Sequence, residues 1–188
     1  MVRRSPVERL RAPQGRARGL GGFRPRGGRL GGLNLTLVLV GKPRTPFVRA
    51  GMEHYAKGIT QKAALRFREV KSYPLRKGVS AQQARSHEKD RILKCFEERQ
   101  VRVFLDERGQ KLDSRQFAAW MGALMAQGRS RIAFVIGGPL GLAPELLSEA
   151  DMVLSLSPFT LSHEMVLLVL LEQIYRSLAI LHNHPYPK

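Results

Sequence analysis

The regular alternation of short apolar runs with longer, partly polar segments constrains this chain more than any other feature of its sequence. Five short runs have the composition and length of buried strands. These predicted strands are Leu35–Val40, Leu65–Val70, Val101–Leu105, Arg131–Ile136 and Met152–Leu156. Helical patterns follow them at Phe47–Lys57, Ser80–Arg99, Asp113–Gln127, Pro144–Ala150 and Ser162–Leu181. This order predicts an α/β fold with a parallel or mostly parallel sheet and helices on both faces.

The residue types at the predicted helix starts support this division. Ser80 with Gln83, and Asp113 with Gln116, have the spacing of capping boxes. The lone cysteine, Cys95, is interpreted as a residue of the second helix and not as a nucleophile. A single cysteine excludes an intrachain disulfide and fits a reducing, cytosolic setting.

Residues 1–33 differ from the rest of the chain. They hold nine arginines, eight glycines and three prolines, with one acidic residue and no periodic apolar pattern. Such a segment cannot bury enough surface to offset its ordering entropy, so we predict a disordered extension before a single domain over residues 34–188. Three interpretations stay open: an RNA-contacting arm, a transit peptide, and upstream sequence translated from a start codon placed too early. We favour the last.

The net charge is +17, and residues 34–188 remain strongly basic without the extension. A positive field of this size favours phosphate polyanions, so nucleic acid is the expected partner. The longest apolar run, Met165–Leu171, has seven residues, against about 20 for a membrane span. The chain also lacks the pattern of a secretory signal, and we expect a cytoplasmic protein.

The same run, Met165–Leu171, is apolar around the whole circumference of the last predicted helix. A helix of this kind must be covered on every side. The sheet covers one side. Either neighbouring helices of the same chain or a second subunit cover the other, and we predict a homodimer.

Two loops follow strands at the edge where parallel sheets bind ligands. Residues 137–141 are Gly-rich but match neither the phosphate-binding loop with its lysine nor the dinucleotide-binding spacing. Residues 155–162 combine small hydroxyls with apolar side chains, which suits a flat, mostly apolar ligand held by main-chain bonds. A tight turn and an ordinary loop are the structural alternatives. The histidines lack the spacing of a zinc site, so no metal is predicted.

Together, IGGPLGL at residues 136–142, LSLSPFTLSH at 154–163, EQIYR at 172–176 and HNHPYP at 182–187 resemble the RlmH family. These are small SPOUT-class methyltransferases of the bacterial ribosome, and the resemblance covers Leu35 to Lys188. It implies a C-terminal trefoil knot, which general folding rules do not predict. It further implies a homodimer, the cofactor S-adenosyl-L-methionine, and methylation of N3 of a pseudouridine in 23S rRNA.

The resemblance also implies site residues. Its cofactor contacts correspond to the end of the third strand, the first glycine of the Gly-Gly pair and the knot loop. In this sequence those are Leu105, Gly137, Leu156, Ser157, Pro158, Phe159, Thr160 and Leu161. Candidates for removing the N3 proton or stabilising the resulting anion are His163, His184 and Tyr186, with Arg176 as the cation.

Two positions depart from the family pattern. Leu167 stands where family members usually carry an arginine, and Pro187 and Lys188 replace the end of a Tyr-His-basic tail. Both lie on the RNA or catalytic side, so a noncatalytic ribosome-binding module on the same fold is the alternative function. A nucleotide-binding or hydrolytic enzyme is a third, against which the missing phosphate-loop lysine and nucleophile elbow argue.

Overall fold

The computed structural model describes residues 32–74 and 79–185, in which five strands and five helices alternate. The strands are β1 (Asn34–Val40), β2 (Ala64–Val70), β3 (Val101–Lys111), β4 (Arg131–Ile136) and β5 (Met152–Ser155). The helices are α1 (Pro46–Thr60), α2 (Ala81–Leu93), α3 (Ser114–Ala126), α4 (Pro144–Leu147) and α5 (His163–Leu181). The predicted order of elements is confirmed.

The five strands form one sheet in the order β2-β1-β4-β3-β5, and every pair is parallel. Their carboxyl ends therefore share one edge. The loops that follow β3, β4 and β5 meet there because these strands are neighbours in space. This strand order brings together the two loops singled out in the sequence.

Helices cover both faces of the sheet, as predicted. In β1, Leu35, Leu37 and Leu39 point to one face and belong to a core shared with α1, α3 and α5. The alternate residues Val38 and Val40 point to the other face, into a second core that includes residues of α2 and α4. Strand periodicity of two accounts for this division, because successive side chains of a strand leave opposite faces.

Both predicted capping boxes are present, at Ser80–Gln83 and at Asp113–Gln116. The predicted end of the second helix at Arg99 is wrong, because α2 ends at Leu93. The chain then turns, and Arg99 adopts a left-handed φ of 58°, which cannot continue a helix. The interpretation of Cys95 as a residue of this helix is therefore also wrong: it lies half-buried in the turn after Leu93, and burial raises the pKa of its thiol.

The core begins one residue before the predicted domain boundary. Leu33 is only 2% exposed and packs with the α1, α3 and α5 side of the sheet. The predicted disordered extension, apart from its last two residues, lies outside the described residues. In the described ranges, no helix is long and apolar enough to cross a membrane.

Candidate active site

A cavity of about 690 Å³ opens at the carboxyl edge of the sheet. Its walls come from the ends of β3 and β4, the loop before α5 and the first turn of α5. The lining residues fall in the ranges 105–108, 136–142 and 155–163, with Arg85 and Val166 beside them. This volume lies within the range of about 300–1,000 Å³ that holds small molecules and cofactors.

The Gly-rich loop after β4 forms one wall with bare backbone. Gly141 has a φ of +72° and donates its N–H to the carbonyl of Gly138 at 2.9 Å, which closes a tight turn. A Cβ on Gly137 would lie 2.9 Å from the carbonyl carbon of Gly141 and 3.1 Å from the backbone nitrogen of Leu142. Glycine at position 137 is therefore required by the turn itself.

The loop between β5 and α5 forms the facing wall and is held by its own hydroxyls. Ser155 donates its hydroxyl to the carbonyl of Ser157 at 3.1 Å, and the Ser157 hydroxyl accepts the N–H of Phe159 at 2.9 Å. Thr160 donates to a carboxylate oxygen of Glu107 at 3.2 Å. Phe159, in the same loop, is 79% exposed and lines the cavity.

The end of β3 supplies charged groups that sequence reasoning missed. Leu105 and Gln110 both pair with Leu154 of β5, so residues 106–109 bulge out of the ladder toward the cavity. Close packing holds the bulge, since a Cβ on Gly109 would lie 2.7 Å from the backbone of β5. The signal in the sequence was the run of three charged residues directly after an apolar strand.

Within this bulge, the guanidinium of Arg108 forms a bidentate ion pair with the carboxylate of Asp106. Nε lies 2.9 Å from one carboxylate oxygen of Asp106 and Nη2 lies 3.0 Å from the other. These hydrogen bonds are the main cause that lowers the pKa of Asp106, and they raise the pKa of Arg108. The cavity rim therefore carries an ionised carboxylate already neutralised by a neighbour.

Glu164 fixes the start of α5 to the start of α1. Its carboxylate accepts the backbone N–H of Arg44 at 2.8 Å and that of Thr45 at 3.1 Å. Thr45 is the N-cap of α1 and its side chain makes no cap bond, so Glu164 satisfies the backbone N–H of the N-cap and that of the residue before it. These bonds, the one from Arg44 first, lower the pKa of Glu164.

We expect Glu164→Gln to lower stability at neutral pH and to have little effect in acid. Because the folded state lowers the pKa of Glu164 below its usual value of 4.5, the stabilisation is present above that value and is lost as pH falls through the folded pKa. Urea unfolding across this pH range measures the difference. Glu145→Gln, an exposed carboxylate in the first turn of α4, is the matched control. A pH-independent difference would contradict the assignment.

Comparison with known proteins identifies the fold family. The family model described as "Predicted SPOUT methyltransferase" matches residues 33–187. Proteins named ribosomal RNA large subunit methyltransferase H match most of the chain. That of Trichlorobacter lovleyi is 39% identical over 82% of this chain and 99% of its own length. The protein from Acetivibrio thermocellus is 36% identical over 82% of this chain and 99% of its own length.

The chain belongs to the RlmH family of SPOUT methyltransferases. A relative from Kosmotoga olearia, 40% identical over 77% of this chain and 93% of its own length, carries the same name. Among solved structures, a probable methylase family protein from Haemophilus influenzae aligns with a TM-score of 0.49 at 15% identity, covering 82% of this chain and 72% of that one. The family assignment therefore rests on sequence.

For this SPOUT methyltransferase, the predicted cofactor residues lie mostly in one place. Seven of the eight line the cavity: Leu105, Gly137, Leu156, Ser157, Phe159, Thr160 and Leu161. Pro158 belongs to the same loop but is not among the lining residues. Sequence reasoning did not select Arg85 or Asp106–Arg108, which the fold brings to the same cavity.

The predicted catalytic residues are not brought together within one chain. His163 lines the cavity. Arg176 lies 13 residues further along α5, about 20 Å at 1.5 Å per residue, and donates to Glu172 at 2.9 Å. His184 is exposed beyond the end of α5, and its backbone N–H donates to the carbonyl of Ala179. Tyr186 lies outside the described residues.

The departure at Leu167 has a structural explanation. The Leu167 side chain is 2% exposed and belongs to the main hydrophobic core. In this chain the position therefore contributes packing, and an arginine there would bury a charge. No cluster of three metal-ligating side chains occurs among residues 32–74 and 79–185.

Proposed function

We propose that this chain is an S-adenosylmethionine-dependent methyltransferase that modifies N3 of a pseudouridine in 23S rRNA of the large ribosomal subunit. The observation that carries the proposal is the cavity itself: seven residues expected to contact the cofactor converge on it, in a member of the RlmH family. Relatives named for methylation of large-subunit rRNA support the substrate class. A cytoplasmic location accompanies this substrate.

The residues present fit S-adenosylmethionine. The Gly137 turn offers backbone with no side chain in the way, and Leu105, Leu156 and Leu161 offer apolar surface to a flat base. Pockets that bind such ligands are mostly apolar, with a few polar groups that fix orientation. When bound, the cofactor supplies an electrophilic methyl group on its sulfonium.

Methyl transfer also requires removal of the proton on the target nitrogen. N3 of a pseudouridine is protonated at neutral pH, so a residue has to accept that proton as the methyl group is transferred. His163 is the predicted base that lines the cavity in the same chain. The net charge of +17 favours the phosphate backbone around the target.

We propose that the active form is a homodimer with composite sites. Arg176 and His184 lie too far along α5 to serve the cavity of their own chain, so they would serve the partner's cavity. We propose that an exposed, mostly apolar groove of about 410 Å³ is the surface that meets the second subunit. Met165, Leu168 and Val169 of α5 line it together with residues of α1. The C-terminal trefoil knot stays a prediction of the family resemblance.

Leu168→Asp is expected to separate the dimer. The substitution places a carboxylate in an apolar contact, which is strongly unfavourable. We expect the dimer dissociation constant to rise at least hundredfold, about 2.8 kcal/mol, and methyl transfer to fall with it. Sedimentation equilibrium measures the first effect. Leu93→Asp, at a 36% exposed leucine at the end of α2 and outside the groove, is the control. A wild-type chain that sediments as a monomer would refute the composite site.

Methyl transfer to ribosomes tests the function directly. Ribosomes that lack this modification are incubated with the protein and S-adenosylmethionine, and rRNA nucleosides are analysed by mass spectrometry. We expect one new N3-methylated pseudouridine in 23S rRNA, dependent on the cofactor. A protein that binds ribosomes and cofactor but produces no methylated nucleoside would instead be a noncatalytic module.

A further inference from the structure

A second cluster of functional groups lies at the carboxyl edge of the sheet, outside the cavity. The rings of Tyr73 and His87 stack in parallel, with centroids 4.5 Å apart and an interplanar angle of 6°. The guanidinium of Arg91 lies 5.9 Å from the centroid of the Tyr73 ring. Tyr73 follows β2, whereas His87 and Arg91 belong to α2. Neither the cofactor site nor the dimer groove uses these three side chains.

The segment that carries Tyr73 is tied to α2. Glu88, only 5% exposed, accepts the backbone N–H of Tyr73 at 2.8 Å. Arg91 donates to the carbonyl of Lys71 at 2.7 Å. A buried carboxylate and a charge-assisted hydrogen bond are strong restraints for a connecting segment. The rings are thus held in place before any ligand arrives, while His87 itself stays exposed.

The same helix connects this cluster to the cavity. Arg85 lines the cavity and reaches the carbonyl of Leu140 in the Gly-rich loop at 3.5 Å. Its buried Nε has no hydrogen-bond partner in the described part of the chain. Arg85 and His87 are two residues apart on α2, about 200° around its axis, so we expect the cavity and the stacked rings to lie about one helix diameter apart, about 10 Å. That distance corresponds to about three stacked nucleotides at 3.4 Å each.

We infer that Tyr73, His87 and Arg91 form a stacking platform for an unpaired base of the RNA substrate, about three nucleotides away from the nucleotide that enters the cavity. The inference rests on the proposed function. Unpaired RNA bases stack on aromatic rings and on arginine planes, whereas a duplex keeps its bases inside. Lys71 and Arg91 place two positive charges beside the rings, and positive charge attracts the phosphates of RNA.

Binding of single-stranded RNA that carries the fluorescent base 2-aminopurine tests the platform. We expect the wild-type protein to quench the base and His87→Ala to lose the quenching together with about tenfold in affinity, about 1.4 kcal/mol. His87→Phe, which restores a ring, should recover both. His87→Ala is safe for the fold because the position is exposed and alanine favours helices.

Two controls make the result specific. Phe67→Ala removes an exposed ring of β2 that is not part of the cluster and should change neither quenching nor affinity. A fully paired hairpin should bind His87→Ala and wild type equally. Equal binding of the single strand by wild type and His87→Ala would overturn the platform. So would an equal loss for single strand and hairpin, or a loss in Phe67→Ala as large as that in His87→Ala.

Methyl transfer separates this inference from the proposed function. With ribosomes as substrate, His87→Ala should raise KM several-fold and leave kcat and the affinity for S-adenosylmethionine unchanged. If the wild-type protein transfers no methyl group but still quenches the base through His87, the proposed function fails and the platform stands. If methyl transfer occurs with the same KM in both proteins, the platform fails and the proposed function stands.

Discussion

Deletion of Pro185–Lys188 is expected to remove most methyl transfer to ribosomes and to leave the affinity for S-adenosylmethionine nearly intact. The described residues that line the cofactor cavity all lie between Arg85 and Val166, so we expect cofactor binding to need little from the tail. The tail holds Tyr186, a candidate for contact with the N3 proton or the target base. Loss of a proton-transferring group costs about a hundredfold or more in rate.

Single substitutions divide the roles within this tail. Tyr186→Phe should lose activity only if the hydroxyl takes part, because the ring still stacks. Removal of Lys188 alone is the matched control and should leave the rate unchanged. Full activity in the protein that lacks all four residues would show that the tail is solvated, and His163 would then be the base to test.

Gly137→Val is expected to lower the affinity for S-adenosylmethionine at least tenfold, about 1.4 kcal/mol. The added Cβ alone would lie 2.9 Å from the carbonyl carbon of Gly141 and 3.1 Å from the backbone nitrogen of Leu142, and these backbone atoms cannot move aside as the end of a side chain can. The loop must open, and the two branches of valine then occupy the cavity. Isothermal titration calorimetry measures the affinity for S-adenosylmethionine, and thermal unfolding checks that the domain still folds.

Gly122→Ala is the control for this substitution. Its Cβ would meet only the end of the Leu181 side chain, at 3.0 Å, on a helix remote from the cavity. The side chain of Leu181 can shift by a few tenths of an ångström, so cofactor affinity should not change. An unchanged affinity in Gly137→Val would place the cofactor elsewhere on the protein.

Local signals in the sequence predicted the elements well where a residue acts on its own neighbours. Ser80 and Gln83 form their capping box because both partners lie within one helical turn. The end of α2 was mispredicted because no glycine or proline lies between Leu93 and the start of β3, where the chain nevertheless turns. The length of β3 was underestimated for a related reason, since its polar second half is extended by pairing with β5.

The sequence by itself determined the α/β class, the alternation of buried faces, and the two loops at the carboxyl edge of the sheet. Apolar periodicity reports which face of an element is buried, and glycine marks where backbone must turn tightly. Those signals are local, so they can be read from the sequence without knowing which segments pack together in the fold.

Only the tertiary structure decided which side chains share the cavity. Arg85 and the Asp106–Arg108 bulge reach it because β3 lies between β4 and β5, an order that no local pattern encodes. In the same structure the Leu167 side chain packs into the core, and Arg176 lies about 20 Å along α5 from His163. Contacts between distant segments depend on strand order and on the direction of each helix, and these follow from packing the whole chain at once.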